Sequence, residues 1–280
     1  MSLKEDHPYT PLRLAKMAFL LVFTLLTLFP VLWVLKMAFN EGQGFEGSLS
    51  PLPPKPTLSN FDHIFNQEPF FTWLWNSALV SIATTVLGVF LACTSAYALS
   101  RFRFPGRSTA MVSFLAVQMF PGVLMMIPLY LIIDSLGLLD NLLGLVLVYS
   151  TTAIPFCVWM LKGYFDTIPK ELEEAALMDG ATPALIFWRI IMPLSLPAVS
   201  VTALFSFMTA WNEFILAAVF MNDKNNFTLP VGLNSFVGSQ STSWGYFAAG
   251  AVLVSIPIMA LFFMLQKNLV GGLTSGGVKG

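Results

Sequence analysis

LLGLVLVYSTTAIPFCVWML, residues 142–161, carries no charge and is apolar on every side of a helix. At about 1.5 Å per residue, a helix of this length covers about 30 Å, the thickness of a bilayer's hydrocarbon core. A spanning β-strand would instead alternate apolar and polar residues over about ten positions. The run therefore excludes a β-barrel and decides for membrane-spanning helices.

Reading outward from it, five further windows meet the same standard: residues 17–39, 73–99, 109–133, 198–220 and 248–266. The 280 residues are 56% hydrophobic and 10% charged, whereas soluble proteins carry about 25% charged residues. The expectation is an all-α polytopic membrane protein with six transmembrane helices. The first window follows Arg13 and Lys16 but is longer than the core of a signal peptide, and no A-x-A-like site follows it, so it reads as an uncleaved helix. With the N-terminus inside, all but Lys36, Lys55 and Lys224 of the 14 Lys and Arg residues face the cytoplasm. The positive-inside rule then places both termini there.

The expected organisation follows: a cytoplasmic N-terminus at 1–16, a first helix at 17–39, a periplasmic loop at 40–72 and a five-helix core at 73–266. The core includes a cytoplasmic segment at 163–197, a periplasmic turn at 134–140 and a periplasmic loop at 221–247, and a cytoplasmic tail follows at 267–280. Loop 40–72 is rich in Pro and Gly and shows no sustained helical period. Pro30, Pro121, Pro128 and Pro155 fall inside windows, where each removes a backbone donor. They read either as packing kinks or as positions lining a cavity. Cys93 and Cys157 read as small packing residues.

No GxxxxGK[ST] phosphate loop, HExxH site or CxxC pair occurs, and neither His7 nor His63 lies in a span or beside a nucleophile. No catalytic or metal constellation is predicted, and no cofactor. The one carboxylate inside a window is Glu213, with two readings: a cavity or gate residue, because intramembrane charge is costly, or a group that reaches the interface or pairs locally. Gln118 and Asn212 are neutral polar residues suited to helix contacts or to a polar pathway.

Between the fourth and fifth windows stands ELEEAALMDGATPALIFWRIIMPLSLP, residues 171–197, charged and punctuated by Gly and Pro. It reads as two short helices at a tight corner. Asp166, Glu171, Glu173 and Glu174 favour a helix N-terminus near Pro169. Gly180 suits a left-handed stop, Thr182 and Pro183 a second start, and Pro193 a second stop.

This segment resembles the EAA loop of ATP-driven importer permeases: E-A-A, three residues, G, nine residues, I-x-L-P. Glu174, Ala175, Ala176, Gly180, Ile190 and Pro193 stand in register, with Met192 in place of Leu. YALSRFRFPG, QMFPGVL, KGYFDTI, LEEAALMDGATP, WGYFAAGAV and GLTSGGVKG further resemble the MalG-type family, the smaller permease subunits of maltose and maltodextrin importers. Loop 40–72 is shorter than in the best-known members.

The resemblance implies a type I importer architecture in a cell's inner membrane. It implies a larger companion permease, two ATPase subunits that use ATP and Mg, a periplasmic sugar-binding protein and no nucleic acid. Glu174, Ala175, Ala176, Gly180 and Pro193 would couple to the ATPase, and Gly276, Gly277 and Lys279 would reach the ATPase interface. Asn234, Ser239, Gln240 and Trp244 would meet the binding protein. Other readings are a permease for another sugar or polyol, an ion-coupled transporter using Glu213, or a membrane scaffold.

Overall fold

The computed structural model describes residues 11–276 except 46, 49, 239 and 240, and it is helical with no strands among the described residues. Four helices are long and apolar enough to cross a membrane: α1 (Pro11–Ala38), α3 (Phe70–Arg101), α6 (Leu142–Phe165) and α13 (Trp244–Gly276). They correspond to the first, second, fourth and sixth windows.

The other two windows are bent. α4 (Arg107–Met119) and α5 (Gly122–Ser135) meet at 103°. Pro121 stands at the break with extended backbone, ψ 121°; its missing N–H and the restriction it places on Phe120 account for the interruption. With each bent pair taken as one span, the count is six.

The segment before the fifth window forms α7 (Glu171–Met178), α8 (Pro183–Ile186), a π-helical turn at Phe187–Ile191 and α9 (Met192–Leu194). Pro193, expected to end the second short helix, sits inside it. Lacking an N–H, it cannot close an ordinary α turn, and the ladder passes through the wider π turn instead. The stop comes at Ser195, where the chain turns 79° into α10 (Leu196–Trp211). The fifth window breaks again at 212–214 before α11 (Ile215–Phe220).

The described residues form two compact units. One combines residues before 70 with Leu233–Ser255. It contains α1 and α2 (Ser59–Gln67), a helix inside the loop read as irregular and too short to show a sustained period. Asn60 is its fastener: buried, it donates to Ala38 O at 3.0 Å and Asn40 O at 2.9 Å and accepts from Gln43 Nε2 at 2.9 Å. Gln43 in turn accepts from the backbone N–H of Trp244 and Tyr246 at 3.0 and 3.1 Å.

The other unit combines Phe70–Gly232 with residues from Ile256 onward. Its core is the packing of α3 against α6 and α10, with Ala92, Ala96, Cys157, Leu161 and Ile191 buried together. Small residues let the backbones approach, as in membrane bundles generally. Cys93 and Cys157 lie in this core as free thiols. A second apolar cluster joins Val80, Leu145 and Tyr149 to Ala217 and Phe220 of α11. A short 3-10 turn at Lys224–Asn226 and α12 (Leu229–Asn234) complete the helices. Trp73, fully buried, lies against Gly232 and donates to Lys224 O at 2.9 Å.

Candidate functional site

Two places in the second unit gather the residues singled out by the sequence. The first is the corner formed by α7 and α8. α7 begins at Glu171, two residues past Pro169, with Glu171, Glu173 and Glu174 in its first turn, where the helix dipole favours carboxylates. It ends in a Schellman motif: Gly180 N–H donates to Leu177 O at 3.0 Å and Ala181 N–H to Ala176 O at 2.9 Å. Gly180 adopts φ +84°, the left-handed conformation that motif requires. Two residues on, the Thr182 hydroxyl accepts from Leu185 N–H at 3.3 Å and Pro183 occupies the first turn of α8.

The E-A-A triplet divides between two directions. Glu174 and Ala175 are exposed, whereas Ala176 is half-buried against the core cluster. Leu177, Met178, Leu185 and Trp188 stay exposed, Met178 by 88%. Beside them a cleft of about 380 Å³ is lined by Ala176, Asp179, Gly180 and Arg189, among others. Pro193 is exposed at the far end of the π turn.

The carboxylate that points inward is Glu173, which sequence reading did not single out. It is 8% exposed. Tyr97 Oη donates to its Oε2 at 2.9 Å, and Arg101 Nε donates to its Oε1. The remaining guanidinium nitrogens reach Ser100 Oγ at 2.9 Å and Ile168 O at 3.0 Å. Ser100 Oγ continues to Asp166 Oδ1 at 2.6 Å, and Lys162 donates to the other oxygen of Asp166. Burial alone would raise the Asp166 carboxyl; the bonds from Lys162 and Ser100 and the charges of Lys162 and Arg101 outweigh it and hold that carboxyl below its ordinary value. The available signal was the pair Tyr97 and Arg101, four residues apart on one face at the end of an apolar helix.

The second place is an open cavity of about 620 Å³ lined by α4, α5, α6, Glu213 and the start of α11. Gln118 and Glu213 both line it, as do Thr151, Thr152, Met125 and Met126. Asn212 is not among its lining residues; its side chain donates back to Met208 O at 2.8 Å. Glu213 is paired within the chain. Its carboxylate accepts Tyr149 Oη at 2.8 Å and the N–H groups of Leu216 and Ala217 at 2.9 and 3.1 Å. It therefore caps α11 and ties it to α6. The bent pair α4–α5 forms one wall of the cavity, so the break at Pro121 shapes it.

The remaining candidates are placed as follows. Asn234 ends α12 and is exposed, and Trp244 begins α13 and is half-buried. Ser239 and Gln240 lie outside the described residues, as do Gly277 and Lys279. Gly276 is the last residue of α13.

Known proteins frame these sites. Residues 85–274 match the family model described as binding-protein-dependent transport system inner membrane component. The chain is 41% identical over 265 residues to the inner membrane ABC transporter permease protein YcjP of Escherichia coli, covering 93% of this chain and 94% of that one. It is 41% identical over 276 residues to the maltose/maltodextrin transport system permease protein MalG of Vibrio vulnificus, covering 92% and 93%. It is 38% identical over 276 residues to the galactooligosaccharides transport system permease protein GanQ of Bacillus subtilis, covering 97% and 95%.

Among solved structures, a chain of a bacterial ABC transporter involved in importing the acidic polysaccharide alginate superposes with a TM-score of 0.80 at 24% identity, covering 94% of this chain and 99% of that one. A chain of the MetNI methionine ABC transporter, inward facing, superposes at 0.60 with 16% identity over 72% and 95%. These likenesses establish the importer-permease fold. Together with the match over residues 85–274 and the relatives aligned nearly end to end, they settle the family: this chain is a binding-protein-dependent transport system inner membrane component.

Proposed function

We propose that this chain is one permease subunit of an ATP-driven importer that carries a neutral oligosaccharide of the maltodextrin kind inward by alternating access. The observation carrying this reading is the α7–α8 corner. There a rigid Schellman turn holds Glu174, Ala175, Leu177 and Met178 outward beside a cleft of about 380 Å³. In this reading a separate ATPase subunit receives the corner, and Gly180 fixes its angle. ATP and Mg are used by that partner, and this chain supplies the moving helices.

The complex comprises a larger companion permease, two ATPase subunits and a periplasmic sugar-binding protein in a bilayer. Both termini are cytoplasmic, with the corner on the cytoplasmic side. The tail with Gly276, Gly277 and Lys279 extends toward the ATPase, and residues 234–244, including Asn234, Ser239, Gln240 and Trp244, face the binding protein. Thr151, Thr152 and Gln118 give the cavity wall hydroxyl and amide groups suited to an uncharged polyhydroxylated substrate, and the apolar Met125 and Met126 suit sugar ring faces. Kinship with both maltodextrin and galactooligosaccharide permeases supports the oligosaccharide class.

Ion-coupled transport by this chain alone is disfavoured by the engagement of Glu213, whose two oxygens accept three hydrogen bonds. The test is reconstitution in liposomes with companion permease, ATPase and binding protein, following labelled maltotriose and a galactooligosaccharide. Uptake is expected only with ATP and binding protein, and it should be insensitive to a protonophore. Proton-driven uptake by this chain alone would overturn the reading.

A further inference from the structure

α7 is an eight-residue helix, and among its described residues Glu173 is the one that is buried. An amphipathic helix normally holds its place by an apolar stripe facing the core. This one has Ala176, half-buried, and a carboxylate. That carboxylate is bound at both oxygens, by Tyr97 and Arg101 from the last two turns of α3. Arg101 is fixed by Ser100 and by the carbonyl of Ile168. Side-chain exposure of the ion pair is 7% for Arg101 and 11% for Glu173. Every polar atom of the pair named here has a partner, the condition under which a buried network rigidifies rather than loosens a fold.

We infer that Glu173 is a positioning residue that makes α7 and the end of α3 one mechanical body, so that a displacement of α7 is delivered to α3. Glu174, its neighbour, faces outward and does not share this task. The inference rests on the reading that an ATPase docks on the α7–α8 corner. In that setting, a helix anchored by apolar contacts could slide under load, whereas one held by directional bonds on two oxygens moves with its anchor or detaches.

The experiment uses the full transport complex in liposomes with Glu173→Ala, Glu173→Gln and Tyr97→Phe, and with Met178→Asp as a docking control. In Glu173→Ala, ATPase subunits are expected to remain bound and ATP hydrolysis to continue, while sugar uptake per ATP hydrolysed falls about tenfold, a typical coupling magnitude. Glu173→Gln, which preserves shape and one acceptor, should recover most of the loss, and Tyr97→Phe should show an intermediate fall.

A purely structural role would lower complex yield and leave uptake per ATP unchanged; that result overturns the inference. If Glu173→Ala does not assemble, the other two variants decide, and an unchanged ratio in both also overturns it. Full ATPase retention in Met178→Asp would instead overturn docking at the corner. The two failures are thus distinguishable.

Discussion

Tyr149 on α6 donates a 2.8 Å hydrogen bond to Glu213, which stands in the break between α10 and α11. The same carboxylate closes the first N–H groups of α11. The carboxylate is thereby given three donors, and a half-helix is oriented by it. Glu213→Ala removes the cap and strands the Tyr149 hydroxyl. We expect a loss of about 1–2 kcal/mol in the local structure, read as a lower thermal midpoint in detergent together with reduced transport. Glu213→Gln keeps acceptor and shape and should lie between the two.

Gly180 makes a different demand. A Cβ there would meet nothing within 4 Å, so space is not the constraint; φ +84° is. Gly180→Ala should cost about 1 kcal/mol through the left-handed backbone and lower transport modestly. Gly180→Asn should be tolerated better. Gly180→Pro cannot reach this φ and should abolish transport while membrane insertion persists, as checked by membrane-fraction yield against uptake.

At Gly232 the constraint is space. A Cβ would fall 2.2 Å from Cε3 of the fully buried Trp73, whose ring cannot withdraw. Gly232→Ala should destabilise by about 1–3 kcal/mol through overpacking. Gly122→Ala, where nothing lies within 4 Å, serves as the comparison. The measurement is the yield of monodisperse protein after mild heating.

Asp140 supplies the pH dependence. At φ +56° it accepts the N–H groups of Asn222 and Asp223 at 3.0 and 3.1 Å. Burial is the largest single influence and raises its carboxyl, but these bonds and the Asn226 side chain together outweigh it and hold it below the ordinary carboxylate value. A lowered folded value means that its stabilisation is complete above the unfolded value and is lost as pH falls through the folded one. The thermal midpoint of Asp140→Ala should therefore lie below wild type at pH 7, and the gap should close in acid.

Hydropathy exposed the straight spans because α1, α3, α6 and α13 are uniform in composition. It could not show direction. Pro121 and Ser195 turn the chain by 103° and 79° without any fall in apolar content. Gln118 and Glu213 were legible as polar residues out of place, yet Thr151 and Thr152 were not, because hydroxyls in membrane helices commonly bond their own backbone. Both do so here, to Val148 O and Tyr149 O, while also lining the cavity. The E-A-A register marked Glu174 and gave Glu173 no part beyond the helix N-terminus, and spacing alone could not show which of two neighbouring carboxylates turns inward. The partner that selects one of them lies 72 positions away at Arg101.

The π turn at Phe187–Ile191 turns a question of chemistry into one of counting. One surplus residue in the turn displaces everything upstream by a single helical step, about 100° around the axis. Removing one residue between Phe187 and Ile191 would restore an ordinary α register and swing Met178 and Glu174 to another bearing relative to α10, with every exposed side chain of the corner still present. Length at this point therefore sets the bearing of the corner as much as residue identity does.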